Sequence, residues 1–251
     1  MSTARPASAS ATPAELSAAY RLAAAREAER VSRGARVIGR KIGYTNARMW
    51  STQGVSAPMW GAMFDDSVIE VGSAPARHGL AAYHGPRIEP EIAVHFSATP
   101  VPGSDARALL ECIDWVAHAY EIVLSPADGQ PVTAPRAIAS GGMHGALLLG
   151  ERCPVSALGD DPVSTLADLQ AELYCDGVLI DNGSGSNVLG NPLHAVLHLM
   201  EGVQREGQTP VRAGDLITTG SMTSPHPIAP GQRWTTRLHG APLAPLDVTF
   251  E

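Results

Sequence analysis

From Thr12 onward apolar positions recur at helical spacing, with Leu16, Ala19, Tyr20 and Ala23 on one side. Thr12 as N-cap, Pro13 at the first helical position and Glu15 placed to close a capping box mark the start, and Gly34 can end the element. The pattern then changes. VIGRKIGYT (37–45), SVIEV (67–71), PRIEPEIAVHF (86–96), AYEIVL (119–124) and HGALLLG (144–150) read as strands. NARMWSTQG (46–54) reads as a short helix capped by Asn46 and stopped by Gly54. Ser104 to about His118 reads as an amphipathic helix, with Leu109, Leu110, Ile113 and Val116 on one side. AELYCDGVLID (171–181) is a hairpin signal, because Asp176-Gly177 supplies a two-residue turn between apolar runs. Asn191-Pro192 opens a helix running to about Glu206, and DLITTG, RWTTRLHG and LDVTF complete the chain as strand and turn. The expected fold class is therefore α+β and β-rich, with mixed, largely antiparallel sheets, flanking helices and an N-terminal helix. Residues 1–11, small and polar, read as a disordered tail, 12–36 as a helical segment and 37–251 as one catalytic domain.

Composition narrows the function classes. The 251 residues are 44% hydrophobic and 17% charged, as in a globular protein, and the formal net charge is −7. Neither nucleic acid nor an anionic membrane suits that charge, since phosphate binding needs a basic face. A local cationic pocket for a small acid stays compatible with it. Three scattered cysteines without a CxxC argue against a disulfide framework or a thiolate zinc site and fit a reducing, cytoplasmic setting. No uninterrupted apolar run is long enough to span a bilayer.

The candidate chemistry lies in PRIEPEIAVHF. Strand alternation puts Glu89 and Glu91 on one face, roughly 7 Å apart. Two like charges that close raise each other's pKa unless a cation sits between them. On a solvated edge such a pair would mean little, but Glu121 stands inside another apolar strand, and carboxylates are seldom buried unpaired. Three carboxylates from adjacent strands are what an octahedral Mg²⁺ or Mn²⁺ ion requires. Lys41, between two glycines in GRKIGYT, is either a surface lysine or, turned inward, a partner for these carboxylates. NGSGSNVLGNP (182–192) matches neither phosphate-binding glycine motif, and GSGSN is no nucleophile elbow.

Taken in order, GRKIGYT, GAMFDD, PRIEPEIAVHF, IDWVAHAYEIV, NGSGSNVLGNPL and AGDLITTGSM resemble the fumarylacetoacetate hydrolase superfamily, within it the 2-keto-4-pentenoate hydratase and 4-oxalocrotonate decarboxylase branch. The resemblance runs from about Val37 to Phe250. It implies that family's C-terminal-like fold and a Mg²⁺ or Mn²⁺ site, with Glu89 and Glu91 as the E-x-E ligands and Glu121, placed after an IDWVAHAY helix, as the third. It implies Lys41 as a substrate-facing catalytic lysine and Asp66 as a nearby polar partner. Ser184, Ser186, Thr219 and Gly220 fall where the family holds substrate oxygens. The implied reaction is addition of water to a 2-hydroxy-2,4-dienoate or 2-oxo-enoate through a metal-stabilised enolate, in the breakdown of aromatic ring-cleavage products. Decarboxylation of a 4-oxalocrotonate-like acid, C–C hydrolysis of an acylpyruvate and a non-catalytic partner subunit are the alternatives. The family also implies a homo-oligomer, able to associate with a related lyase.

One region departs from that pattern. Hydratases of the branch carry an Asp-Asn pair ahead of the glycine matching Gly145, whereas AIASGGMHG places Ser140-Gly141 there. SPADGQPVTAPR (125–136) likewise differs from the usual Trp-containing loop. His144 is then the candidate acid/base for the far end of the substrate.

Overall fold

The computed structural model describes residues 11–50 and 55–251. Helix α1 (Pro13–Ser32) begins with the expected capping box: Glu15 N–H donates to Thr12 Oγ1 at 3.3 Å and Thr12 N–H to Glu15 Oε2 at 2.7 Å. Tyr20 from this helix stacks on Trp60 with ring centroids 4.1 Å apart. Asn46 caps a short 3-10 turn, Ala47–Met49, and the rest of the expected helix to Gly54 lies outside the described residues. So do residues 1–10 of the expected tail.

Two sheets form the body. The larger contains β1 (Val37–Gly43), β2 (Met59–Phe64), β3 (Val68–Glu70), β5 (Arg87–Phe96), β6 (Ile113–Val123), β7 (His144–Pro154) and β10 (Leu216–Ser221) in the order β2-β1-β10-β5-β6-β7-β3. The short β11 (His226–Pro227) also pairs with β5. The smaller sheet runs β4 (Ala76–His78), β13 (Asp247–Phe250), β12 (Arg233–His239), β8 (Gln170–Cys175) and β9 (Val178–Ser184). Most pairings are antiparallel; β1 with β10, β3 with β7 and β4 with β13 are parallel. The β8–β9 hairpin turns on Asp176 (φ 50°) and Gly177 (φ 81°), the two left-handed residues that a tight hairpin needs.

The expected amphipathic helix over 104–118 is not formed. Only α2 (Ala106–Leu110), capped by Asp105, is helical, and IDWVAHAYEIV is a single strand. Its two faces are both buried, so alternation is erased: Val116, Tyr120 and Ile122 pack on one side and Ala117 and Ala119 on the other. Glu121 therefore follows no helix; it is the ninth residue of β6.

Among the described residues three further helices follow: α3 (Ala134–Ala139), α4 (Pro162–Asp168) and α5 (Pro192–Arg205), the last capped by Asn191 as expected. Helix α5 lays Leu193, Val196, Leu199 and Val203 into the core beneath β10. Ile88, Tyr120, Ile122 and Leu148 pack against Trp234, Val248 and Phe250 of the smaller sheet. The opposite face of the large sheet gathers Met63, Ala93, Ala117, Ala119, Leu147 and Leu149, and this face also carries the glutamates. No helix among the described residues is long and apolar enough to cross a membrane.

Candidate metal centre

Register assembles the site. In the β5–β6 ladder Glu89 stands directly opposite Glu121, and Glu91 lies one same-face step along β5. Carboxylate oxygens of all three residues lie within 4.8 Å of one another. Lys41 enters from β1, which reaches the glutamates across β10, and its Nζ is 3.0 Å from Glu121 Oε2. His144, at the start of β7, supplies Nδ1 at 2.9 Å from Glu121 Oε1. Four strands, β1, β5, β6 and β7, thus contribute side chains to one cluster.

Gly220 closes it on the β10 side. The ladder to β5 shifts register between Thr218 and Ser221, which turns Gly220 N–H onto Glu91 Oε2 at 3.0 Å. This backbone has φ 105°, and a Cβ there would stand 2.0 Å from Thr45 Oγ1, so both conformation and space demand glycine.

The electrostatics are strained. Lys41, Glu91 and Glu121 are almost completely buried and Glu89 is partly covered. Burial lifts the Glu89 carboxyl to about 7, with Lys41 and, less strongly, Arg87 pulling it down and Glu121 pushing it up. Glu91 is raised well above the carboxylate range by burial and by Glu121 and Glu89. For Glu121 burial is outweighed by Lys41 and His144, which hold it low. Burial works against the Lys41 ammonium, but Glu121, Glu89 and Glu91 together keep its pKa above the ordinary lysine value. With all three ionised, the carboxylates would exceed the one ammonium by two negative charges, the charge that a divalent cation cancels. Glu91 Oε1 is buried without a hydrogen-bond partner among the described residues. An orphaned acceptor beside two other carboxylates is what a hard cation occupies. Glu89, Glu91 and Glu121 could hold such an ion.

The other sequence-derived positions fare unevenly. His144 is at the cluster, but Nε2 bonds Ser67 Oγ at 3.0 Å while Nδ1 faces Glu121. With both nitrogens engaged and the side chain 5% exposed, it orients a carboxylate rather than presenting a proton to a ligand. Asp66 is not brought to the cluster. It sits on the turn after β2, exposed, paired with Arg30 of α1 at 2.5 Å; Ser67, its neighbour, is the residue that points inward. Ser184 and Ser186 bond each other at 2.7 Å, and neither makes a hydrogen bond to the glutamates. Thr219 Oγ1 donates to Ile92 O at 3.0 Å, tying β10 to β5.

Two residues escaped the sequence reading. Thr218 is in register with Lys41 and Ala93, hence on the cluster's face, and its buried hydroxyl has no partner among the described residues. Tyr44 follows β1 with φ 57°, a backbone conformation uncommon for a side-chain-bearing residue. Its phenol is raised by burial and feels both Lys41 and Glu89, so it borders the cluster. TT before a glycine and a tyrosine after GRKIG were the available signals, but only the register tells which threonine faces inward.

Fold and cluster together define a β-rich protein that gathers carboxylates from adjacent strands around a cation-sized gap. The chain belongs to the fumarylacetoacetate hydrolase family: the model described as Fumarylacetoacetate (FAA) hydrolase C-terminal matches residues 43–247. It is 31% identical over 229 residues, 88% of this chain and 80% of the relative, to a 2-keto-4-pentenoate hydratase of Paraburkholderia xenovorans (strain LB400). To a 4-oxalocrotonate decarboxylase of a Pseudomonas species it is 28% identical over 204 residues, 81% and 75% of the two chains. The solved 4-oxalocrotonate decarboxylase from Pseudomonas putida G7, complexed with magnesium and adipate, matches with a TM-score of 0.83 at 25% identity, covering 93% of this chain and 85% of that one.

Proposed function

We propose that the protein is a divalent-metal-dependent lyase, a hydratase that adds water to a 2-hydroxy-2,4-dienoate or 2-oxo-enoate. The observation that carries this reading is the set Glu89, Glu91 and Glu121, three carboxylates beside one lysine, with Glu91 Oε1 buried and unpartnered among the described residues. Membership of the fumarylacetoacetate hydrolase family and the hydratase relative support it. Glu89, Glu91 and Glu121 would hold Mg²⁺ or Mn²⁺. The bound ion would supply Lewis-acid stabilisation of negative charge developing at a 2-oxo oxygen. The protein's own residues do the rest. Gly220 N–H and His144 fix the orientation of two of the carboxylates. Lys41, the one ammonium inside the cluster, attracts an anionic ligand and is placed to give or take a proton at its edge. Thr218 Oγ1, without a partner among the described residues, is a hydrogen-bonding group beside it.

A decarboxylase is the second reading. It is favoured by the engaged state of His144 and by Ser140-Gly141, which offer no titratable pair for water addition at the far end. Assays with 2-hydroxypenta-2,4-dienoate and with 4-oxalocrotonate separate the two. Mg²⁺-dependent loss of the dienoate, stopped by a chelator, is expected; CO₂ release from 4-oxalocrotonate alone would favour the second reading, and turnover of neither would sink the lyase assignment.

The cluster also predicts a pH signature. Glu89 and Glu91 have raised pKa values when folded, so between about pH 4.5 and about pH 7 the folded metal-free chain holds more protons than the unfolded chain. Their contribution to stability therefore falls as pH rises through that window. A divalent cation reverses this, because it binds the ionised carboxylates. The rise in melting temperature on adding Mg²⁺ should be several-fold larger at about pH 8 than at about pH 5.5. A rise independent of pH would argue that ions bind elsewhere.

A further inference from the structure

Arg40 and Lys41 are neighbours on β1, so their side chains leave opposite faces of the large sheet. Lys41 enters the glutamate cluster; Arg40 lines a cavity of about 370 Å³ together with Tyr20, Arg21 and Glu27 of α1 and with Glu206 and Gln208 just after α5. That volume is in the range small ligands occupy. Arg40 is only 6% exposed, and a charge so covered is ordinarily paired. Here, among the described residues, no carboxylate lies within ion-pairing distance and no acceptor within hydrogen-bonding distance of its guanidinium. Burial works against its charge, Glu27 and Asp215 favour that charge only through space, and Arg212 opposes it. A guanidinium stays protonated even so. None of its nitrogens is sealed away from open space, so its donors give onto the cavity it lines. Gln208 adds a second donor. Its Oε1 accepts from Trp60 Nε1 at 2.7 Å, which fixes the amide and leaves the NH₂ group without an acceptor among the described residues.

We propose that this cavity is a second ligand site, which takes a small monocarboxylate on the Arg40 guanidinium and the Gln208 amide. The planar fork of an arginine suits a carboxylate bidentately, and an acid bound there supplies the acceptor that the buried charge lacks. The Tyr20 ring, held by its stack on Trp60, offers an apolar wall for a short carbon chain. The acidic groups of the lining limit the charge the ligand can carry. Glu206 lies 3.7 Å from Arg205 Nε, whereas Glu27 has no cation within ion-pairing distance among the described residues. Its field opposes a second negative charge, so the site prefers a monoanion to a dianion. Because the site lies on the reverse face of β1, it does not depend on the metal-dependent reading of the glutamate cluster.

The test uses butanoate, butanamide and succinate, which share a four-carbon length and carry one, no and two negative charges. Binding of each to the full-length protein is measured by titration calorimetry near pH 7 with a chelator present, so that no ion at the glutamate cluster can hold an acid. The wild-type protein should bind butanoate about tenfold more tightly than butanamide, and more tightly than succinate. Arg40→Gln should bind butanoate no better than butanamide. Glu27→Gln, a change on the half-covered side of α1, should keep the wild-type melting temperature, bind butanoate several-fold more tightly and admit succinate. Where Arg40→Gln does not fold, the wild-type ratio and Glu27→Gln decide. Equal binding of butanoate and butanamide by the wild type, or binding of neither, overturns the proposal. So does butanoate binding that requires Mg²⁺, an undiminished ratio in folded Arg40→Gln, or weaker butanoate binding by Glu27→Gln.

Discussion

Glu91→Gln is expected to abolish divalent-cation binding and turnover while raising the melting temperature of the metal-free protein. The two effects come from one fact. Glu91 is fully buried beside Glu89 and Glu121, and its environment keeps its carboxyl protonated well above the usual range. Holding a carboxyl protonated near neutrality costs stability, which the neutral amide avoids. The amide oxygen can still accept from Gly220 N–H, so the fold loses little. One of three anionic ligands is gone, however, and activity should fall roughly a thousandfold or more, beyond the 10–100-fold typical of outer partners. Melting curves with chelator and with Mg²⁺, beside calorimetric titration of the ion, read both effects. Mg²⁺ binding at wild-type strength would remove Glu91 from the centre.

Lys41→Met should move stability the other way. Among the described residues it removes the only ammonium within reach of Glu121 Oε2, leaving the carboxylates without their cation. Breaking a buried pair from one side costs roughly 3–5 kcal/mol, or about 10 °C here. Added Mg²⁺ should restore much of that loss, because it provides the charge that was deleted, yet activity should stay very low. A metal-free melting temperature equal to wild type would mean that Lys41 does not balance the cluster. Opposite signs in two neighbouring variants of similar volume are hard to produce by packing damage, which lowers stability in both.

Much of this site was legible because it is written in strand arithmetic. Glu89 and Glu91 share a face by alternation, and PRIEPEIAVHF forms a strand from Arg87 to Phe96. The capping box at Thr12 and the Asp176-Gly177 turn were legible for the same reason, since each is fixed by residues close in sequence. The IDWVAHAYEIV strand was misread because burial on both faces leaves no period-two signal, while Leu109, Leu110, Ile113 and Val116 happen to fall at helical spacing. Asp66 and Ser67 show the limit at one-residue scale. A tight turn after β2 sends Asp66 to Arg30 and brings Ser67 Oγ back to Phe64 and His144, a choice made by α1 and β7, more than thirty residues away on either side. Thr218 against Thr219 was settled by the ladder to β1 and β5, which no local pattern records.

The Ser140–Met143 segment sets how this protein can change. Gly141, Gly142 and Met143 all adopt left-handed backbone, at φ 75°, 77° and 61°. At Gly142 a Cβ would lie 2.7 Å from Lys41 Cδ, so any side chain there displaces the lysine. At Gly141 nothing stands within 4 Å, and asparagine is among the residues that tolerate such a φ. Mutational paths toward a different far-end chemistry therefore pass through position 141 and are closed at 142. A lineage carrying this backbone can acquire a new polar group one residue before the lysine's neighbour without first giving up the ammonium that balances its glutamates.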